Sequence, residues 1–173
     1  MDIKPALKRQ YHAALQTLRQ TIEKCPADLW TADRYPTPFW QVAYHALFFT
    51  HLYLQQNEAA FTPWEHHREE YQFLGELPWP PHDPPKIGEP YTQAKIMDYW
   101  RVCDAMIDGV IDGLDLETAD CGFWWYGIPK LDHEIMNIRH TQHHAAQLDD
   151  RLRAAGVEID WVGGKAPAEE DAP

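Results

Sequence analysis

The chain has 173 residues, 45% of them apolar, and a formal net charge of -12. That length is enough to bury one substantial core, and that apolar fraction excludes an intrinsically disordered chain. The acidity excludes a nucleic-acid binder, which needs a basic footprint, and argues equally against docking on anionic membrane.

Four segments repeat apolar residues at helical spacing. In the first, Ile3, Leu7, Tyr11, Ala14, Leu18 and Ile22 recur at three- and four-residue steps until Pro26 stops the helix. The second opens at "PTPFW", with Thr37 as the expected N-cap and Pro38 at the first helical position. It continues as FWQVAYHALFFTHLYLQQ, apolar almost all round, which predicts burial on several sides. A short helix is expected near 64–74. Next comes "ELPWPPHDPPKIGEP", whose six prolines exclude a long helix or a central strand.

The third long helix, about 90–115, presents Ile96, Tyr99, Cys103, Met106, Val110 and Leu114 on one stripe. The fourth, about 131–156, presents Ile135, Ile138, Ala145, Leu148 and Leu152, and Gly156 is its expected stop. The tail "GGKAPAEEDAP" (163–173) is poor in apolar residues and is expected to be disordered. The pattern predicts an all-α domain over 1–162: a four-helix bundle whose long Pro-rich crossover lets the second and third long helices run parallel.

No run approaches the ~20 apolar residues of a membrane span, and no apolar run follows Met1–Lys4, so no secretory leader is expected. Cys25, Cys103 and Cys121 are odd in number and lack CxxC spacing. Reduced thiols serving as small buried hydrophobes in a cytoplasmic protein are the expectation.

The stretch "IRHTQHHAAQL" (138–148) carries His140, His143 and His144. A helix advances ~100° per residue, so His144 stands ~40° round from His140 and one turn on, while His143 lies ~60° round the other way. His144 falls on the apolar side and His143 nearly opposite it, so His140 and His144 are expected inside and His143 in solvent. Asn137 and Gln147 extend the inward polar edge and are candidate partners for the rings.

On the second long helix His45 shares a face with Val42, Phe49 and Leu52, where a buried ring needs a partner for its nitrogens. His51 lies ~240° away on that helix and cannot share an ion with His45. His45, His140 and His144 therefore make a three-imidazole candidate metal site between two facing helices. Three protein ligands with one open position is the catalytic pattern for zinc, and nickel and iron also accept imidazole. Ordinary hydrogen-bonded core histidines explain the same spacing without a metal.

Other metal patterns fail. His133-Glu134 is followed by Asn137 where HExxH needs histidine, and no glutamate has a histidine three residues on, as di-iron bundles require. "EHHREE" (65–70) reads as a solvated face, and His12, His82 and His133 stand alone. No Gly-rich phosphate loop or GxSxG elbow occurs.

Three features carry a resemblance: the histidine within "FWQVAYHALFFTHLYL", the fourth-helix motif "NIRHTQHHAAQLDDRLRAAG", and the nearby "IDWVG". Over about residues 5–162 the chain resembles the DinB/YfiT-like superfamily of metal-dependent hydrolases. The resemblance implies a four-helix bundle of crossed connectivity, commonly a homodimer, with a divalent ion held by His45, His140 and His144. Zinc or nickel is the first candidate, iron or manganese the next. It also implies a small-molecule substrate, with a low-molecular-weight thiol as co-substrate in some relatives. Hydrolysis or thiol-dependent transfer or isomerisation would follow from a nucleophile activated near neutral pH. Trp40, Tyr44, Trp124, Trp125 and Tyr126 are candidate pocket residues, although core packing explains each as well. No general base is fixed by spacing, and catalytic residues stay unassigned. The alternative is a non-catalytic metal- or ligand-binding sensor built as a bundle dimer.

Overall fold

The computed structural model describes residues 2–164. The expected disordered tail therefore lies, from residue 165 onward, outside the described residues. The described residues are helical without a strand: α1 (Lys4–Lys24), α2 (Ala27–Trp30), α3 (Phe39–Tyr53), α4 (Gln93–Gly113) and α5 (Lys130–Ala154), with a 3₁₀ turn at Glu58–Ala60. None of these helices is long and apolar enough to cross a membrane.

The four long helices share one apolar core. α1 packs against α5 and α4, and α3 packs against the same two. Each long helix is explained by its periodicity. Tyr11, Leu15, Leu18 and Ile22 of α1 are buried, as are Ile96, Tyr99, Cys103 and Ile107 of α4. α4 opens on Thr92, whose hydroxyl accepts from the Lys95 N–H at 3.2 Å. α5 ends as expected at Gly156, with φ at +76°. The Val157 N–H reaches Leu152 O and the Gly156 N–H reaches Arg153 O, which satisfies the last carbonyls. Cys25, Cys103 and Cys121 are all free and buried.

Several expectations are corrected. α3 is capped by Pro38, not Thr37; Pro38 is extended and its carbonyl takes the first helical bond, from the Val42 N–H. No α-helix forms at 64–74. The apolar residues there are anchors of an irregular chain: Trp64 stacks on Tyr99 at 4.5 Å, and the Tyr71 hydroxyl binds Gly88 N and Glu89 O. Ile135 is not on the buried face but 45% exposed. The first turns of α5 instead bury Lys130, His133, Glu134 and Asn137. There Lys130 Nζ pairs with Glu134 Oε1 at 2.9 Å and donates to the Tyr53 and Gln55 carbonyls at the end of α3. The Tyr11 hydroxyl donates to Glu134 Oε2 at 2.6 Å, which ties α1 into the same network.

Candidate metal centre

His45 sits on a helix that is buried almost all round, as its unbroken apolar sequence requires. Thr37, Gln41 and His45, at four-residue intervals, hold the carbonyls of Leu74, Phe73 and Gln72 in turn, at 3.4, 2.8 and 2.5 Å. These bonds strap segment 72–74 along the start of α3. They also fix the His45 tautomer: a carbonyl only accepts, so Nδ1 carries the proton and Nε2 keeps its lone pair.

α5 supplies His140 and His144 one turn apart. A polar clasp sets its register against α3. The Thr50 and Thr141 hydroxyls lie 2.7 Å apart, and Asn137 Nδ2 donates to Thr50 O at 3.2 Å. His144 Nδ1 donates to Gln147 Oε1 at 3.1 Å, which again leaves Nε2 with its lone pair. Of the two expected ring partners, Gln147 therefore contacts the site, whereas Asn137 serves the clasp.

His140 Nε2 stands 3.1 Å from His45 Nε2 and 3.2 Å from His144 Nε2. One ligand nitrogen from each of the three rings falls within 4.8 Å of the others, so the cluster could hold a metal ion. For comparison, nitrogens bound tetrahedrally at Zn–N near 2.0–2.1 Å lie about 3.3 Å apart. The donor chemistry fits a cation. Two lone pairs converge on His140 Nε2, while His140 Nδ1 is buried without a hydrogen-bond partner. A cation at the centre lets all three Nε2 atoms act as donors.

Burial, with His144 and the other histidines adding to it, lowers His45 to about 3 against the pull of its Gln72 bond. Burial, then His144 and His143, lowers His140 to about 4. Burial also lowers His144, opposed by Gln147. All three rings are thus neutral at pH 7, the form that binds metals.

The remaining histidines are elsewhere. His143 is exposed, as expected, and its ring lies 5.0 Å from that of His144. His51 is turned away from the cluster, with Nδ1 3.1 Å from the Tyr99 hydroxyl. His67, within the stretch read as a solvated face, instead bonds the Tyr44 hydroxyl at 2.6 Å. His12 bridges α1 to Asp104 and Asp108 of α4 at 2.7 and 3.2 Å. His133 is buried against the Phe123 ring at 4.7 Å, with neither nitrogen hydrogen-bonded.

An aromatic cleft of about 620 Å³ adjoins the cluster. Phe49, one turn beyond His45, is the shared wall: its ring lies 4.7 Å from His45 and 5.7 Å from His140 and also lines the cleft. Of the aromatic pocket candidates, Trp124 and Trp125 line this cleft. Trp40 and Tyr44 do not; they are core residues at 1% and 0% exposure. Tyr126 packs against Tyr53 and His133. A shallow depression of about 690 Å³ on the other side of α5 reaches His140 and His143 but neither His45 nor His144.

Spacing gave no sign of the Gln72 carbonyl or the threonine clasp, because both depend on where an irregular segment and a helix register come to rest. Phe49 could be found, since it sits four residues after a candidate ligand. No protein-family model matches the chain, and neither does any curated protein or solved structure.

Proposed function

We propose that the chain is a divalent-metal-dependent enzyme of the DinB/YfiT-like type. In this reading it is a hydrolase or a thiol-dependent S-transferase or isomerase acting on a small molecule at His45, His140 and His144. The observation that carries it is the convergence of three neutral imidazoles, two of them with lone pairs aimed inward by outer hydrogen bonds to Gln72 O and Gln147 Oε1. Zinc or nickel suits three imidazoles best, with iron or manganese next.

When bound, such an ion supplies a Lewis acid that lowers the pKa of a water or a thiol toward neutrality. The chain's own residues do the rest. His45, His140 and His144 hold the ion, and the Thr50–Thr141–Asn137 clasp keeps the two helices in register. Phe49 borders both the cluster and the cleft. In the same reading the four long helices form one bundle, the Pro-rich stretch 76–90 is its crossover between α3 and α4, and the chain is a homodimer.

One observation favours a second reading, a non-catalytic metal sensor. Among the described residues the group consists of three histidines alone, with no carboxylate or thiol within its ligand set. Hydrolysis and thiol-conjugation panels run on metal-loaded wild type and His144→Ala separate the two. The enzyme reading expects a turnover that the variant loses while its circular dichroism is unchanged. Metal binding without any His144-dependent turnover favours the sensor.

A further inference from the structure

The aromatic cleft beside the three histidines has a one-sided polar lining. Its floor is Phe48, Phe49, Leu52 and Tyr53 of α3. One wall is Phe73 and Trp79, edge to face at 5.3 Å; Trp124 and Trp125, edge to face at 5.4 Å, also line it. Trp79, Trp124 and Trp125 are 50%, 84% and 37% exposed, an unusual amount of indole to leave in water around one cavity.

Among the described residues, the charged side chains that line it are Glu58 and Glu76, both carboxylates, with no lysine, arginine or histidine. Gln72 adds a buried amide oxygen, Oε1, that accepts no hydrogen bond in the structure. Lys130 Nζ, which donates to the carbonyl of the lining residue Tyr53, is paired with Glu134.

We propose that this cleft binds an organic cation, a small molecule with an apolar or aromatic body and an amine or quaternary ammonium group. Aromatic faces attract a cation through the negative potential above each ring, and carboxylates at the same opening add to it. The anions and neutral molecules that would also fit by size gain nothing from Glu58 and Glu76. An approach from the cleft brings the ligand's body against Phe49, one ring from His45 and His140. The step from bound ligand to substrate rests on the proposed function; the binding itself does not.

The test is a tryptophan-fluorescence titration of the chelator-treated full chain with benzyltrimethylammonium, benzyl alcohol and phenylacetate. Reading it without metal separates failure of this proposal from failure of the metal reading. The expected result is a preference of about tenfold or more for the cation. The preference should be lost in the Glu58→Gln/Glu76→Gln variant, whose changes are at exposed positions, and kept in His144→Ala. Equal binding of the three probes, a preference for the anion, or fluorescence changes that follow self-association alone would overturn it.

Discussion

Glu134→Gln is the sharpest probe of how the site's scaffold is held. The carboxylate is fully buried and faces two donors, Lys130 Nζ at 2.9 Å and the Tyr11 hydroxyl at 2.6 Å. Glutamine keeps the shape and an acceptor for Tyr11, which has a second acceptor in Glu134 O at 3.2 Å. What it removes is the counter-charge of an ammonium at 0% exposure. Breaking a buried pair from one side costs about 3–5 kcal/mol, a large part of the roughly 5–15 kcal/mol that keeps a domain folded.

The matched Lys130→Met/Glu134→Leu variant removes both charges. It leaves the Tyr53 carbonyl buried without its donor, at about 1–3 kcal/mol, and the part-buried Gln55 carbonyl open to water, but strands no ion. Urea unfolding of wild type, Lys130→Met, Glu134→Leu and the double variant closes the cycle, with Glu134→Gln measured beside it. The double variant is expected to be more stable than Glu134→Gln by about 2 kcal/mol or more. A Glu134→Gln cost under about 1 kcal/mol, or a double variant as unstable as the single, refutes the reasoning.

Three further outcomes are expected. Burial lowers His51 to about 4, so below pH 6.5 the unfolded chain takes up a proton that the folded chain refuses. Its contribution is complete above pH 6.5 and is lost as pH falls toward 4, by about 3 kcal/mol at most; urea midpoints from pH 7 to 4.5 should fall less steeply in His51→Gln. Gly122 has φ at +84°, and a Cβ there would lie 2.5 Å from Gln56 O, so Gly122→Ala should destabilise the loop that carries Trp124 and Trp125 and lower the thermal midpoint. Gln147→Ala should weaken metal affinity about tenfold, read by competition with a chelating dye, because it frees the His144 ring to turn and change tautomer.

The long helices were legible because each pays for its burial with a periodic apolar stripe, and three-residue and four-residue steps survive in any context. The same arithmetic separated His144 from His143 and His45 from His51. It failed where burial is polar. Lys130, His133, Glu134 and Asn137 occupy the inward face of α5, so hydrophobicity pointed to Ile135 on the wrong side. It also failed at 64–74, where Trp64 and Tyr71 are apolar for long-range stacking rather than for a local helix. Thr37 carries a cap's chemistry, yet its hydroxyl goes to Leu74 O in the strap. That partner is 37 residues away in sequence, beyond the reach of local spacing.

The most direct test of the central claim is elemental analysis of the purified chain combined with X-ray absorption at the edge of whatever metal is found. The account predicts about one divalent ion per chain, ligated by imidazole nitrogens near 2.0–2.1 Å if it is zinc, and lost in the His45→Ala, His140→Ala and His144→Ala variants. Less than about a tenth of an equivalent after incubation with zinc or nickel, with the same unfolding curve before and after chelation, would contradict it.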